Sequence, residues 1–190
     1  DAIFAHFPGL KVIAPGTPAD AKGLLKSAIR SNDPIFFIEH ATLYQTRGEV
    51  PDGELTIPIG LSKVQRPGQD VTIVTYSKML EVSLKAAEQL EGEGIQVEIV
   101  DMRCLRPLDM EPVIASVKKT NRAVIVEEGW GSFGVGAEVA SRIYEQAFDY
   151  LDAPVRRVFQ KEVPLPYNRT LEQMALPGIK EVIQAVKEVL

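Results

Sequence analysis

With 190 residues the chain has room for one large domain, or for one of ordinary size and part of another. Its 45% hydrophobic and 25% charged residues are those of an ordinary globular protein, and a net charge of −5 disfavours nucleic acid and anionic membrane as partners. Cys104 is the single cysteine, which excludes an internal disulfide and a cysteine metal cluster, and no apolar run approaches the ~20 residues of a membrane span.

A reducing compartment fits the cysteine count, and the start at Asp1, without methionine or a signal-like segment, is expected of an excised or truncated product. Lys11 to Ala14 predicts a short strand. Ala19 to Arg30 predicts a helix, with Thr17 or Asp20 as its cap and Pro18 near its first turn. Asp33-Pro34 breaks the chain before a second strand, Ile35 to Ile38. Strand, helix and strand in about 30 residues make a right-handed βαβ crossover. That is too little to enclose a core, so residues 1–45 read as the tail of another domain, expected to be frayed or held by an unnatural contact.

From Ala41 to Asp70, glycine, proline and charged residues punctuate a segment without periodicity. Residues 46–69 read as a linker with one extended piece, Leu55 to Ile59. Residues 70–190 then alternate strands with helices. Val71 to Tyr76 is a strand, Met79 to Leu90 a helix ended by Gly92 and Gly94, and Val97 to Val100 a strand. Asp109 caps a helix running to about Lys119, whose basic end suits a helix C-terminus. Ala123 to Val126 is a strand buried on both faces, followed at once by the glycines Gly129, Gly131 and Gly134. Phe133, Ala137, Ala140, Tyr144, Ala147 and Phe148 recur at helical spacing after them. Val155 to Phe159 is the last strand; a proline-marked loop runs to Pro177, and Ile179 to Val189 is the last helix. Four strands alternating with helices imply an α/β fold, a three-layer α/β/α domain on a mostly parallel sheet.

Gly129, Gly131 and Gly134 spell G-x-G-x-x-G between a strand and a helix, the pattern of a dinucleotide site. Glu127 and Glu128 argue against it, because two carboxylates at the helix N-terminus would repel a pyrophosphate. The glycines are better explained by close packing of turn and helix, with the carboxylates engaging the turn's free N–H groups or a partner's cation.

Catalytic residue types are sparse. His6 and His40 are the only histidines and form no metal motif. Each reads as a packed or surface histidine. Ser77, Ser132 and Ser141 lie outside any nucleophile elbow, and adjacent Glu127 and Glu128 do not make a glycosidase pair. Trp130 and Phe133 have little local chain to cover them. They are expected, with Arg103 and Arg106 after the neighbouring strand, to face another subunit.

The runs HFPGLKVIAPGTPADAKGLLKSAIRSNDPIFFIEH, DMRCLRPLDMEPVIASVKKTNRAVIVEEGW, FGVGAEVASRIYE and LDAPVRRV closely resemble the beta subunits of pyruvate dehydrogenase (acetyl-transferring), in the 2-oxo acid dehydrogenase and transketolase-like family. The resemblance extends from Ala5 to Leu190. It implies that residues 1–45 are the C-terminal remnant of a pyrimidine-binding domain, and that residues 70–190 are a transketolase C-terminal domain. The implied reaction is oxidative decarboxylation of pyruvate with transfer of acetyl to lipoyl groups. The implied cofactors are thiamine diphosphate and magnesium, bound elsewhere in the assembled enzyme, so no catalytic or cofactor-binding residue is expected in this chain. Partners implied are the alpha subunit, a second beta subunit and a dihydrolipoyl acetyltransferase core. The implied location is the bacterial cytoplasm, a mitochondrial matrix or a plastid stroma. The resemblance also places a potassium site at Ala28, Ile29 and Asp33, with two carbonyls and a carboxylate. The alternatives are the branched-chain 2-oxo acid dehydrogenase beta subunit, a nucleotide-binding module and a non-catalytic interaction domain. Glu128-Gly129-Trp130 and Phe133-Gly134-Val135-Gly136 look more like the pyruvate enzyme.

Overall fold

A computed structural model describes residues 1–190. The chain opens with a short helix α1 (Ala2–His6), strand β1 (Lys11–Ile13), helix α2 (Pro18–Ile29) and strand β2 (Ile35–Phe37). Thr17 is the α2 cap: its hydroxyl oxygen accepts from the Asp20 N–H at 3.1 Å. β1 and β2 pair in parallel, as a βαβ crossover requires.

The C-terminal unit contains β3 (Lys63–Arg66), β4 (Val71–Thr75), α3 (Lys78–Glu91), β5 (Val97–Asp101), β6 (Cys104–Arg106) and α4 (Glu111–Thr120). It continues through β7 (Ala123–Trp130), α5 (Val135–Ala147), β8 (Arg156–Gln160), α6 (Arg169–Ala175) and α7 (Ile179–Lys187). Its sheet has the order β3-β5-β4-β7-β8, parallel except for β3 at one edge. Period-two alternation sends Ile73, Val124 and Val126 to one face, against Leu80 and Leu90 of α3 and Val182 and Val186 of α7. Val74, Val100 and Ile125 point the other way, against Val113 and Val117 of α4 and Val139 and Ile143 of α5. β4, β5 and the first half of β7 are buried on both faces, and the result is the expected three-layer α/β/α architecture. No helix is long and apolar enough to cross a membrane.

Several elements depart from the expected ones. β3 lies where a linker was expected, while Leu55 to Ile59 forms no strand. The stretch before it is fastened to α2. Lys22 donates to the Pro51 carbonyl at 2.7 Å, Glu54 pairs with Arg30 at 2.5 Å, and the Ile57 side chain fills the space that a Cβ on Gly23 would occupy. Asp109 stands one residue before the cap position of α4, held by Met110; its carboxylate accepts from the N–H groups of Ser62 and Glu111. Phe133 lies in the turn before α5 rather than on its apolar face. The proline-marked loop contains α6, which Asn168 caps by accepting from the N–H groups of Thr170 and Leu171. Asn168→Ala should cost about 1 kcal/mol of α6 stability. Hydrogen exchange of amides 169–175 should show it as a local loss of protection of about five-fold.

Residues 1–45 are joined to the C-terminal unit by strand pairing. β6 pairs antiparallel with β1, matching Val12 with Arg106 and Ile13 with Cys104, so β2, β1 and β6 form a second sheet shared by both units. Arg103, between β5 and β6, adopts φ 54° and turns its side chain into the junction. Its guanidinium donates to Asp20 of α2 at 3.0 Å and to the Leu61 carbonyl at 2.8 and 3.1 Å, a forked arrangement that suits arginine.

Candidate functional site

The glycine turn is built around a carboxylate from its own chain. Glu127, near the carboxyl end of β7, is almost wholly buried; one oxygen accepts from the Gly136 N–H in the first turn of α5 at 3.0 Å, the other from Arg157 at 3.2 Å. Arg157 also donates to the Gly131 carbonyl. A Cβ on Gly134 or Gly136 would lie 2.8 or 2.5 Å from that carboxylate, and one on Gly131 would enter the Phe159 ring. The glycines therefore make room for Glu127 and Phe159. The anion that a helix N-terminus attracts is already supplied by the protein, and the place of a pyrophosphate is taken. Burial raises the pKa of Glu127, against the opposing effect of the Gly136 N–H and of Arg157.

Glu128 leaves in the other direction. Its carboxylate meets His40 Nε2 at 3.0 Å, and His40 lies just after β2, so the contact bridges the two units. The Thr42 N–H points at Nδ1 of the same ring at 3.3 Å. Because a backbone N–H can only donate, Nδ1 is the acceptor and Nε2 carries the proton given to Glu128.

Beside this pair lies a cleft of about 230 Å³ at the carboxyl ends of β2, β4 and β7. Tyr76, Ser77 and Lys78 reach it from the β4–α3 turn, Glu39 and His40 from the N-terminal unit, and Gln160 from the end of β8. Crevices outside the carboxyl ends of parallel strands are where α/β sheets bind ligands. The Tyr76 pKa is pushed well above its ordinary value, first by burial and then by the charges of Glu127 and Glu128. Two carboxylates, Glu39 and Glu128, line the cleft with the Lys78 ammonium.

Trp130 follows Gly129 of the cleft lining, and Phe133 lies three residues further along the turn. Trp130 is 53% exposed, its indole N–H donating to the Val163 carbonyl, and Phe133 is 95% exposed at φ 58°. The arginines expected beside them are elsewhere. Arg103 is only 7% exposed, engaged with Asp20, and Arg106 donates to the Ala5 carbonyl at 2.8 Å. Both hold residues of the same chain. Around the place expected for potassium, the Asp33 carboxylate pairs with Lys11 at 2.6 Å, and the Ala28 carbonyl accepts from the Ser31 N–H.

Sequence inspection could not assemble His40, Glu128, Tyr76 and Gln160, which lie far apart along the chain. The available signal was positional: Tyr76-Ser77 and Glu128-Gly129 each end a buried strand before a helix, where cleft residues collect.

A family model described as the transketolase C-terminal domain matches residues 60–182, and one described as the transketolase pyrimidine binding domain matches residues 1–47. The chain is 50% identical to the pyruvate dehydrogenase E1 component subunit beta of Rhizobium meliloti, over 99% of this chain and 41% of that protein. It is 49% identical to the protein so named in Rickettsia felis, over 99% of this chain and 58% of the relative. It is 48% identical to the mitochondrial one of Drosophila melanogaster, over 100% of this chain and 53% of the relative. The chain thus spans about half the length of the curated relatives it matches. Among solved structures, a split gene transketolase described as an inactive beta4 tetramer superposes with a TM-score of 0.81 at 27% identity, covering 100% of this chain and 60% of its own.

Proposed function

The chain belongs to the transketolase C-terminal domain family, and from that premise we propose that it is the C-terminal part of the beta subunit of a thiamine-diphosphate-dependent pyruvate dehydrogenase. The reaction of the assembled enzyme is oxidative decarboxylation of pyruvate with transfer of acetyl to lipoyl groups. The observation that carries this reading is identity near 50% along almost the whole chain to bacterial and mitochondrial proteins bearing that name. Its partners are then an alpha subunit, a second beta subunit and a dihydrolipoyl acetyltransferase core, in a bacterial cytoplasm, a mitochondrial matrix or a plastid stroma. Trp130 and Phe133 supply an apolar anchor for one of the subunits. Arg103 and Arg106 act within the chain.

Thiamine diphosphate supplies the carbanion chemistry of such enzymes when bound. The cleft of this chain does not fit its diphosphate: Glu39 and Glu128 line it, and the Lys78 ammonium beside it is tied to Glu81 at 2.5 Å. No three His, Cys, Asp or Glu side chains converge as a metal site for the magnesium. Calorimetry with excess thiamine diphosphate and magnesium should show no saturable rise in Tm, since a ligand stabilises only what it binds. A shift of several degrees would place a cofactor site in this chain.

The reading itself is tested by a chimera in which these 190 residues replace the matching portion of the Rhizobium meliloti beta subunit, co-expressed with its alpha subunit. Pyruvate-dependent acetyl transfer is expected. A chimera that assembles and turns over only branched-chain 2-oxo acids would reassign the substrate, and one that folds without binding the alpha subunit would overturn the reading.

A further inference from the structure

The cleft between the units holds one residue whose chemistry is unanswered. Tyr76 is 3% exposed and lines the cleft, its hydroxyl opening into it without a hydrogen-bonding partner in the chain. A buried side chain whose polar end opens into a cleft leaves that end to be satisfied by a water or a ligand. Ser77 follows at φ 51° and ψ −134°, an uncommon conformation for a residue other than glycine, and its hydroxyl makes no capping bond to α3.

The surrounding groups define the missing partner. Glu128 receives one N–H, from His40, and Glu39 receives the Tyr44 hydroxyl at 3.0 Å, so both carboxylates keep lone pairs to spare. The amide nitrogen of Gln160 donates to the Val163 carbonyl, leaving its side-chain oxygen as the available acceptor. The Lys78 ammonium is spent on Glu81. Acceptors and negative charge are in surplus; two carboxylates outweigh the roughly half charge at the N-terminus of α3. At about 230 Å³ the cleft is smaller than the ~300–1,000 Å³ typical of drug-sized ligands, and so suits a small group.

We propose that this cleft binds an organic cation rich in N–H donors, a guanidinium or primary ammonium group, with Glu39 and Glu128 as counter-ions and the Tyr76 hydroxyl as a fixed acceptor. The cation arrives either on a small metabolite or on a partner's arginine or lysine. In the second case the exposed Trp130, two residues beyond Glu128, receives an apolar neighbour of that side chain. Binding is independent of the enzyme's identity, so the chimera above can fail without touching it.

The test is a titration of the isotope-labelled 190-residue chain with agmatine, followed by NMR. It is run at pH 8.5, because the half-buried amino group of Asp1 lies on the rim with a lowered pKa and is then largely uncharged. Saturable shifts are expected at the amides of Ser77 and Gly129 and at the side chain of Gln160. Glu128→Gln should weaken binding about ten-fold by removing a charged acceptor. Tyr76→Phe should weaken it several-fold, and Glu145→Gln, an exposed carboxylate on α5, should not change it. A peptide with arginine flanked by leucine decides the source: a ten-fold gain over agmatine that Trp130→Ala removes identifies a protein partner, and equal affinity identifies a small amine. Absence of saturation, or equal shifts from tetramethylammonium, which has no N–H to donate, would overturn the proposal.

Discussion

Arg103→Ala is expected to lower the stability of the chain by about 3–5 kcal/mol, the usual effect of removing one partner of a buried ion pair. The loss has three parts. Asp20, 3% exposed, is left with a full charge and only the Thr17 hydroxyl; the Leu61 carbonyl loses its two donors; and Asp101 loses the nearest positive charge. Arg103→Lys should recover only part, because an ammonium cannot reach Asp20 and the Leu61 carbonyl as a rigid fork does. Asp20→Asn added to Arg103→Ala should restore stability relative to Arg103→Ala alone, since the stranded charge goes with it. Urea unfolding measures all three variants. A loss below about 1 kcal/mol for Arg103→Ala would mean that the junction is held by strand pairing alone.

The second large effect is one of pH. Asp101 is completely buried, one carboxylate oxygen accepting from the Arg103 N–H and the other without a partner, and its pKa is raised from 3.8 to about 7, first by burial and then by Asp20. Between those two pH values the folded chain keeps a proton that the unfolded chain has released. The unfolded state then binds fewer protons, so the free energy of unfolding falls as pH rises from about 4 to about 7. Stability is fully present below the lower value and lost through the upper one. The total is a few kcal/mol, since each tenfold difference in proton affinity between the folded and unfolded chain is worth about 1.4 kcal/mol. Glu127, also raised by burial, acts in the same direction. Lys63, Arg103 and Asp20 are the charged groups that face Asp101. Urea midpoints measured at pH 5 and pH 8 should differ with the more acidic sample the stronger, and Asp101→Asn should remove most of the difference. Equal midpoints in the unsubstituted chain would show that Asp101 is ionised throughout.

The parts of the fold legible in the sequence were those with local signatures. β4, β5 and the first half of β7 are short β-branched stretches bounded by turns and alternating with helices, the pattern of central strands, and Glu127 before three glycines left open whether its carboxylate served the turn or a partner's cation. β3 was hidden because Lys63-Val64-Gln65-Arg66 is an edge strand with little to bury. β6 was hidden because three residues carry no period, and its partner lies far away in β1. Arg103 and Arg106 were read as surface groups, the usual place for arginine. Their acceptors, Asp20 and the Ala5 carbonyl, are brought near only by that long-range pairing. Trp130 and Phe133 needed no such knowledge, since a turn rich in glycine offers nothing to cover them.

The pairing of β1 with β6 also sets a timetable. Val12 must wait for Arg106, roughly ninety residues of further synthesis, before its second edge is closed. At ~5–20 residues per second, a ribosome takes roughly 5–20 s to supply β6, long after local helices have formed. Through that interval the nascent chain presents Lys11-Val12-Ile13 as an open strand flanked by apolar residues, a segment suited to capture by a chaperone and vulnerable to pairing with a neighbour on the same polysome.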